Sequence, residues 1–173
     1  MILRALFLVL ALAVPARAEL NIQTVTSPGG IKAWLVEDHG IPFTALEIRF
    51  SGGTSLDPEG KRGAVNLMTG LIEEGAGDLD AQAFATARDS LAADLRFSSD
   101  VDTVSVSARF LTENRDQAAR LLRSALVEPR FDADAVERVR GQILAGLRQG
   151  EKDPGKIAAN LFDALKEGYY GKF

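Results

Sequence analysis

Apolar residues recur along this chain with two periods, and the points where the period changes divide it into elements. Between Thr44 and Phe50 the period is two, with Leu46, Ile48 and Phe50 on one side and Glu47 and Arg49 on the other. That is the pattern of a strand with one buried face. Thr103 to Phe110 repeats it more clearly, setting Val104, Val106, Ala108 and Phe110 against Thr103, Ser105, Ser107 and Arg109. Ile22 to Thr26 and Ile31 to Glu37 are shorter β-type runs, separated by the turn-forming cluster Ser27-Pro28-Gly29-Gly30. In the second of these, Ile31, Ala33 and Leu35 oppose Trp34 and Val36. Leu95 and Phe97, alternating with Asp94, Arg96 and Ser98 and followed by a turn at Ser99-Asp100, predict a further strand.

Elsewhere the period is helical. Over Gly63 to Gly75, Ala64, Leu67, Met68, Leu71 and Ile72 share one face, and Asn66, Thr69, Gly70 and Glu73 share the opposite, polar face expected to meet solvent. Asp80 to Leu91 predicts a second helix with Ala83, Phe84, Ala87 and Leu91 inward and Asp78 or Asp80 as its cap. Asn114 and Gln117 have capping-box spacing before a helix to about Val127, stopped by Pro129. Its stripe is Ala118, Leu121, Leu122, Ala125 and Leu126. A helix capped by Asp132 or Asp134 carries Val136, Val139, Ile143, Leu144 and Leu147. The last, from Asp153 or Pro154 to about Lys166, carries Ile157, Leu161, Phe162 and Leu165. Strands, two helices, a hairpin and three helices predict the α+β class: an antiparallel sheet of four to five strands with five helices packed on one face.

Composition narrows the partners. A net charge of −4 and a pI near 5.1, with no Lys/Arg cluster, argue against nucleic acid or an anionic membrane. The first 18 residues have the form of a secretory signal peptide: Arg4, an apolar run from Ala5 to Val14, and Ala16-Arg17-Ala18 as cleavage site. That run is too short to span a bilayer, which takes about 20 residues. The expected location is therefore periplasmic or secreted, with no membrane insertion after cleavage. An exported chain with no cysteine has no disulfide framework and relies on its core. With His39 as its one histidine, in the turn Glu37-Asp38-His39-Gly40, it cannot build an ordinary N/S zinc site by itself. The Gly-rich bend Ser51-Gly52-Gly53-Thr54-Ser55 belongs to neither phosphate-binding glycine motif, which excludes a nucleotide site.

The stretch from Gly63 to Gly75 resembles the signature helix of the M16 zinc peptidases, the pitrilysin, insulinase and mitochondrial processing peptidase group. There a Gly and two small or apolar residues precede His-x-x-Glu-His, then an apolar pair and a Gly. The two histidine positions fall on Asn66 and Gly70, and the glutamate position on Thr69. In that motif the histidines bind zinc and the glutamate is general base toward the metal-bound water. Asn offers a neutral, hard oxygen, Gly offers nothing, and Thr is no base near neutral pH. The bend and the acidic turn Asp57-Pro58-Glu59-Gly60 before the helix also resemble the family. So do Glu128-Pro129-Arg130-Phe131, the helix with Glu137-Arg138, and Asp153-Pro154. On that helix the family's third ligand, a glutamate, falls on Gly146, and a second family glutamate seven residues earlier falls on Val139.

The resemblance covers residues 19 to 173. It implies one family domain that has lost three ligands and the base together, and that continues into a second homologous domain. It further implies a non-catalytic subunit of a heterodimeric peptidase, with zinc only in a homologous partner and peptides as substrates. The strand Leu95, Arg96, Phe97 and Ser98 lies where the family's edge strand pairs with substrate, which makes these the candidate peptide contacts. Two other readings stand beside it: a stand-alone peptide-binding protein using that edge, and an active metallopeptidase with Glu73 or Glu74 as unusual ligands. Adjacent helix positions point about 100° apart and chelate one ion poorly. Intact-mass measurement of the exported protein should show Met1 to Ala18 removed and Glu19 at the N-terminus; retention of that segment would overturn the exported location.

Overall fold

In the computed structural model, residues 21 to 170 are described, so the signal-peptide segment lies outside them. The chain divides into two compact units, Met1–Ile41 and Pro42–Phe173. In the first, β1 (Ile22–Thr26) pairs antiparallel with β2 (Lys32–Val36), Ile22 opposite Val36 and Thr26 opposite Lys32. The expected turn closes through Gly30 N–H to Ser27 O at 2.9 Å and Ile31 N–H to Ser27 Oγ at 3.0 Å. His39 stands 89% exposed with Glu37 3.5 Å away, as a loop residue.

The second unit is built on a three-stranded sheet of order β3-β7-β6, with β3 at Phe43–Ser51, β6 at Asp94–Ser99 and β7 at Thr103–Leu111. Both pairings are antiparallel, with Ile48 opposite Val106 and Phe97 opposite Val106 from the other side. The even positions of β7 and the odd positions of β6 therefore share one face. Against it pack α2 (Ala81–Ser90) and α3 (Arg115–Val127), enclosing Phe84, Leu95, Val106, Ala108, Phe110, Ala118, Leu122 and Ala125. The opposite face, with Ser105, Ser107, Arg96 and Arg109, is polar, as a one-sided antiparallel sheet allows. The remaining helices are α1 (Ala64–Leu71), α4 (Ala133–Gly150) and α5 (Pro154–Tyr170).

Several local expectations are corrected by tertiary packing. Helix α1 ends at Leu71 rather than Gly75, because Gly75 has φ +125° and turns the chain into the two-residue strand β4 (Gly75–Ala76). This pairs with β5 (Leu79–Asp80), a ladder that no periodicity announces, and Ala76 bridges Pro129. Asp80 does cap α2, accepting from Ala83 N–H at 2.8 Å. The predicted capping box at Asn114 does not form: its side chain donates to Leu91 O at 2.9 Å, tying the start of α3 to the end of α2. Asp132 likewise makes no cap and instead accepts from Arg130 at 2.8 Å. Helix α5 runs past Lys166, and Ile157, Leu161 and Phe162 on it are exposed rather than in a core.

Helix α1 is placed from its N-terminal side by a short relay. Gly52, Thr54 and Ser55 N–H groups donate to Asp102, Asp100 and Val101 carbonyls, clamping the bend after β3 onto the β6–β7 turn. Only glycine fits at position 53, where a Cβ would lie 2.0 Å from Asp100 O. The bend delivers Asp57, whose carboxylate accepts from Gly63 N–H at 2.6 Å and Val65 N–H at 2.9 Å, satisfying free donors at the helix start. The Val65 and Gly63 amides hold this carboxyl below its ordinary range. A depressed folded pKa adds stability that is complete above the unfolded value and lost as pH falls through the folded one. Asp57→Asn should therefore lower the melting temperature at pH 7, and its deficit against wild type should shrink below about pH 4; a pH-independent deficit in thermal melts would contradict this cap.

Candidate functional site

The polar face of α1 meets solvent only in part: Asn66 and Gly70 are exposed, but Thr69 is buried. Thr69 is only 4% exposed, while Met68 on the predicted apolar face is 37% exposed. The reason is that α1 is wedged between α4 and β6 and so has two buried sides. Leu71, with Leu67 beside it, packs against Ala135 and Val139, and Ile72 enters the main core under the sheet.

The four degenerate positions go to different places. Asn66 is exposed, and its Nδ2 donates to Ser99 Oγ at 3.5 Å. Thr69 Oγ1 donates to Asn66 O at 2.9 Å, within its own helix, and lies 3.5 Å from the same Ser99 hydroxyl. Gly70 faces α4: a Cβ there would sit 3.1 Å from Val139 Cγ1. Gly146 is two turns further along α4, about 10 Å of helix axis, and no atom lies within 4 Å of where its Cβ would be. The fold thus gathers Asn66, Thr69 and Ser99 into a small polar group, turns Gly70 to a hydrophobic contact, and leaves Gly146 apart. Ser99 is the member that sequence reasoning missed, since as one residue of a Ser-Asp turn it carried no signal.

These residues do not fit zinc. One amide, two hydroxyls and two glycines supply no imidazole, thiolate or carboxylate, and among the described residues no group of three or more His, Cys, Asp or Glu converges. Glu73 and Glu74 are committed elsewhere. Arg88 donates to Glu73 at 2.9 Å, and Arg138 donates to Glu74, tying the end of α1 to α2 and α4 respectively. Burial pushes the Glu73 carboxyl above its ordinary range, and the Arg88 guanidinium offsets part of that push.

Beside this group runs β6, which holds the candidate peptide contacts. It pairs with β7 on one side and is the edge strand of its sheet. Asp100 N–H donates to Thr103 O at 2.8 Å, in the same register as the β6–β7 ladder. Hydrogen-bonded pairs alternate in an antiparallel ladder, so Asp94, Arg96 and Ser98 bond to β7. Leu95, Phe97 and Ser99 direct their N–H and C=O groups outward. The side chain of Leu95 is in the core and that of Phe97 packs on it, so these two offer backbone only. Arg96 and Ser98 are exposed on the polar face, with Arg96 donating to Asp94 at 3.0 and 3.1 Å.

Two comparisons carry the family. Over 117 residues the chain is 32% identical to the non-peptidase homolog YmxG of Helicobacter pylori, covering 68% of this chain and 27% of the relative. A crystal structure of a peptidase M16 inactive domain from Pseudomonas fluorescens superposes with a TM-score of 0.75 at 31% identity, over 81% of this chain and 34% of that one. The chain belongs to the M16 peptidase family. Within it, this is a domain of the non-catalytic kind. Pitrilysin shares the fold with a TM-score of 0.68 at 18% identity, over 81% of this chain and 15% of its own. A protease from Helicobacter pylori does so at 0.66 and 16%, over 80% of this chain and 34% of its own. No family model matches the sequence. The chain spans about a quarter of the curated relative and about a third of the inactive-domain structure.

Rebuilding the M16 motif should damage this domain rather than arm it. Asn66→His, Thr69→Glu and Gly70→His together bury a carboxylate at position 69 and drive a ring against Val139, while position 146 still lacks a ligand. Such overpacking should cost about 1–3 kcal/mol, read as a fall in denaturant midpoint, with at most weak zinc binding by calorimetry. Unchanged stability with one zinc held per chain would refute it.

Proposed function

We propose that this chain is the non-catalytic half of an exported, periplasmic M16-type peptidase pair, in which a homologous H-x-x-E-H subunit supplies zinc and base. This chain holds no zinc and cleaves nothing alone. Its part is to close the peptide chamber and to line it with the polar sheet face and the β6 edge. The observation that carries this reading is the state of α1. Every position needed for chemistry is lost, yet the helix is capped, ion-paired and packed in place beside an unpaired strand edge. A helix kept in register without its ligands has a use other than catalysis, and a chamber wall needs that register. Among the described residues no helix is long and apolar enough to cross a membrane, and the acidic composition fits a protein partner better than nucleic acid.

A second reading rests on the same edge. The outward groups at Leu95, Phe97 and Ser99 can add an extended peptide as a further strand, and a stand-alone peptide-holding protein needs no catalytic partner. Co-expression separates the two. With an H-x-x-E-H homologue from the same cell, the pair reading expects a soluble complex whose peptidase activity exceeds that of either chain by an order of magnitude or more. A homologue fully active alone, and unchanged when this protein is added, leaves only the peptide-holding reading.

A further inference from the structure

We infer that Asn66 and Ser99 together form a clamp for one peptide group of an extended ligand strand. The inference rests on the peptide-holding role of the β6 edge and names the residues that fix a ligand's register on it. Three observations converge. The ladder register turns the Ser99 N–H and C=O outward at the last position of the β6 edge. The exposed Asn66 amide, delivered by α1, lies beside that position with Nδ2 3.5 Å from Ser99 Oγ. The hydroxyl and the amide are only loosely engaged there, because 3.5 Å is well beyond the roughly 2.8–3.0 Å of a good hydrogen bond.

The donor and acceptor inventory fits a peptide group. Asn66 keeps one amide hydrogen free, and its Oδ1 accepts no hydrogen bond among the described residues. A neutral amide beside a hydroxyl, with no charge of its own, matches a neutral C=O and N–H better than it matches an ion. Thr69 makes the arrangement stiff. It is buried, its hydroxyl is bonded to Asn66 O at 2.9 Å, and it backs Ser99 from within the helix. Asn66 and Ser99 are also held independently of any ligand. The Asp57 cap and the Gly70–Val139 contact fix α1, and the Gly53 clamp fixes the turn that follows Ser99. The ligand class is thus an extended polypeptide read through its backbone, with little demand on side chains at the clamped residue.

The test uses the full-length mature protein and a pool of random-sequence decapeptides, with retained peptides identified by mass spectrometry. The best-retained peptide is then measured by fluorescence anisotropy against wild type, Asn66→Ala and Ser99→Ala, with thermal melts checking that each variant is folded. Each variant should bind about five- to tenfold more weakly, as expected for one or two lost hydrogen bonds. In an ester scan of the peptide backbone, one ester position should weaken binding to wild type but add nothing in Asn66→Ala. Retention of peptides with affinities unchanged in both variants, and no ester position coupled to Asn66, would overturn the clamp while leaving the peptide-holding edge intact. Retention of no peptide by wild type would overturn both together.

Discussion

The close approach of α1 to α4, with Gly70 lying against Val139, is the constraint on which the rest of this domain depends. Gly70 lets the two helix surfaces meet at a point where a side chain would need Val139 to move. Where they meet, Leu67 and Leu71 pack with Ala135, Val136, Val139 and Ile143, which sets the rotation of α1. That rotation sends Thr69 inward and Asn66 to the end of β6. Magnitudes decide which forces hold it. Burial of each Leu or Val contributes about 1.5–3 kcal/mol, whereas partly exposed ion pairs such as Glu74–Arg138 contribute about 0–1 kcal/mol. Packing therefore supplies the stability, and the ion pairs at the end of α1 chiefly set its direction.

The same packing accounts for the loss of metal chemistry as a property of shape as well as of residue type. In a zinc peptidase the position of Gly70 would carry a ligand pointing to a shared centre. Here it carries none, and a Cβ at that position would come 3.1 Å from Val139 Cγ1. Glu73 and Glu74, the carboxylates nearest to that centre in sequence, are drawn off to Arg88 and Arg138 on neighbouring helices. The motif positions that lack catalytic groups lie on two helices, Asn66, Thr69 and Gly70 on α1 and Gly146 on α4.

An open sheet edge is a hazard as well as an opportunity, since unpaired N–H and C=O groups recruit other strands. Strand β6 limits that hazard by being only six residues long and by carrying the Asp94–Arg96 pair on its solvent face. The polar face of β7, with Ser105, Ser107 and Arg109, forms a wall that water can wet beside that edge.

The sequence by itself determined the α+β class, the five helices and the main strands. These follow from local period: alternation marks β3 and β7, and 3.6-residue stripes mark the helices. Gly53 was visible as part of a bend after β3, but not as a position where a Cβ would lie 2.0 Å from Asp100 O. Gly75 read as the close of a helix rather than as a residue at φ +125° beyond its end. Helix α1 read as having one buried face because a single helix shows only one stripe. Its second buried face was created by neighbours 30 to 70 residues away, Ser99 and Val139 among them. Capping failed at Asn114 and Asp132 for a related reason, since tertiary partners outbid the local amides for the same side chains. The tertiary structure alone decided that the polar group at the end of α1 is Asn66, Thr69 and Ser99, because only the register of β6 against β7 puts Ser99 there.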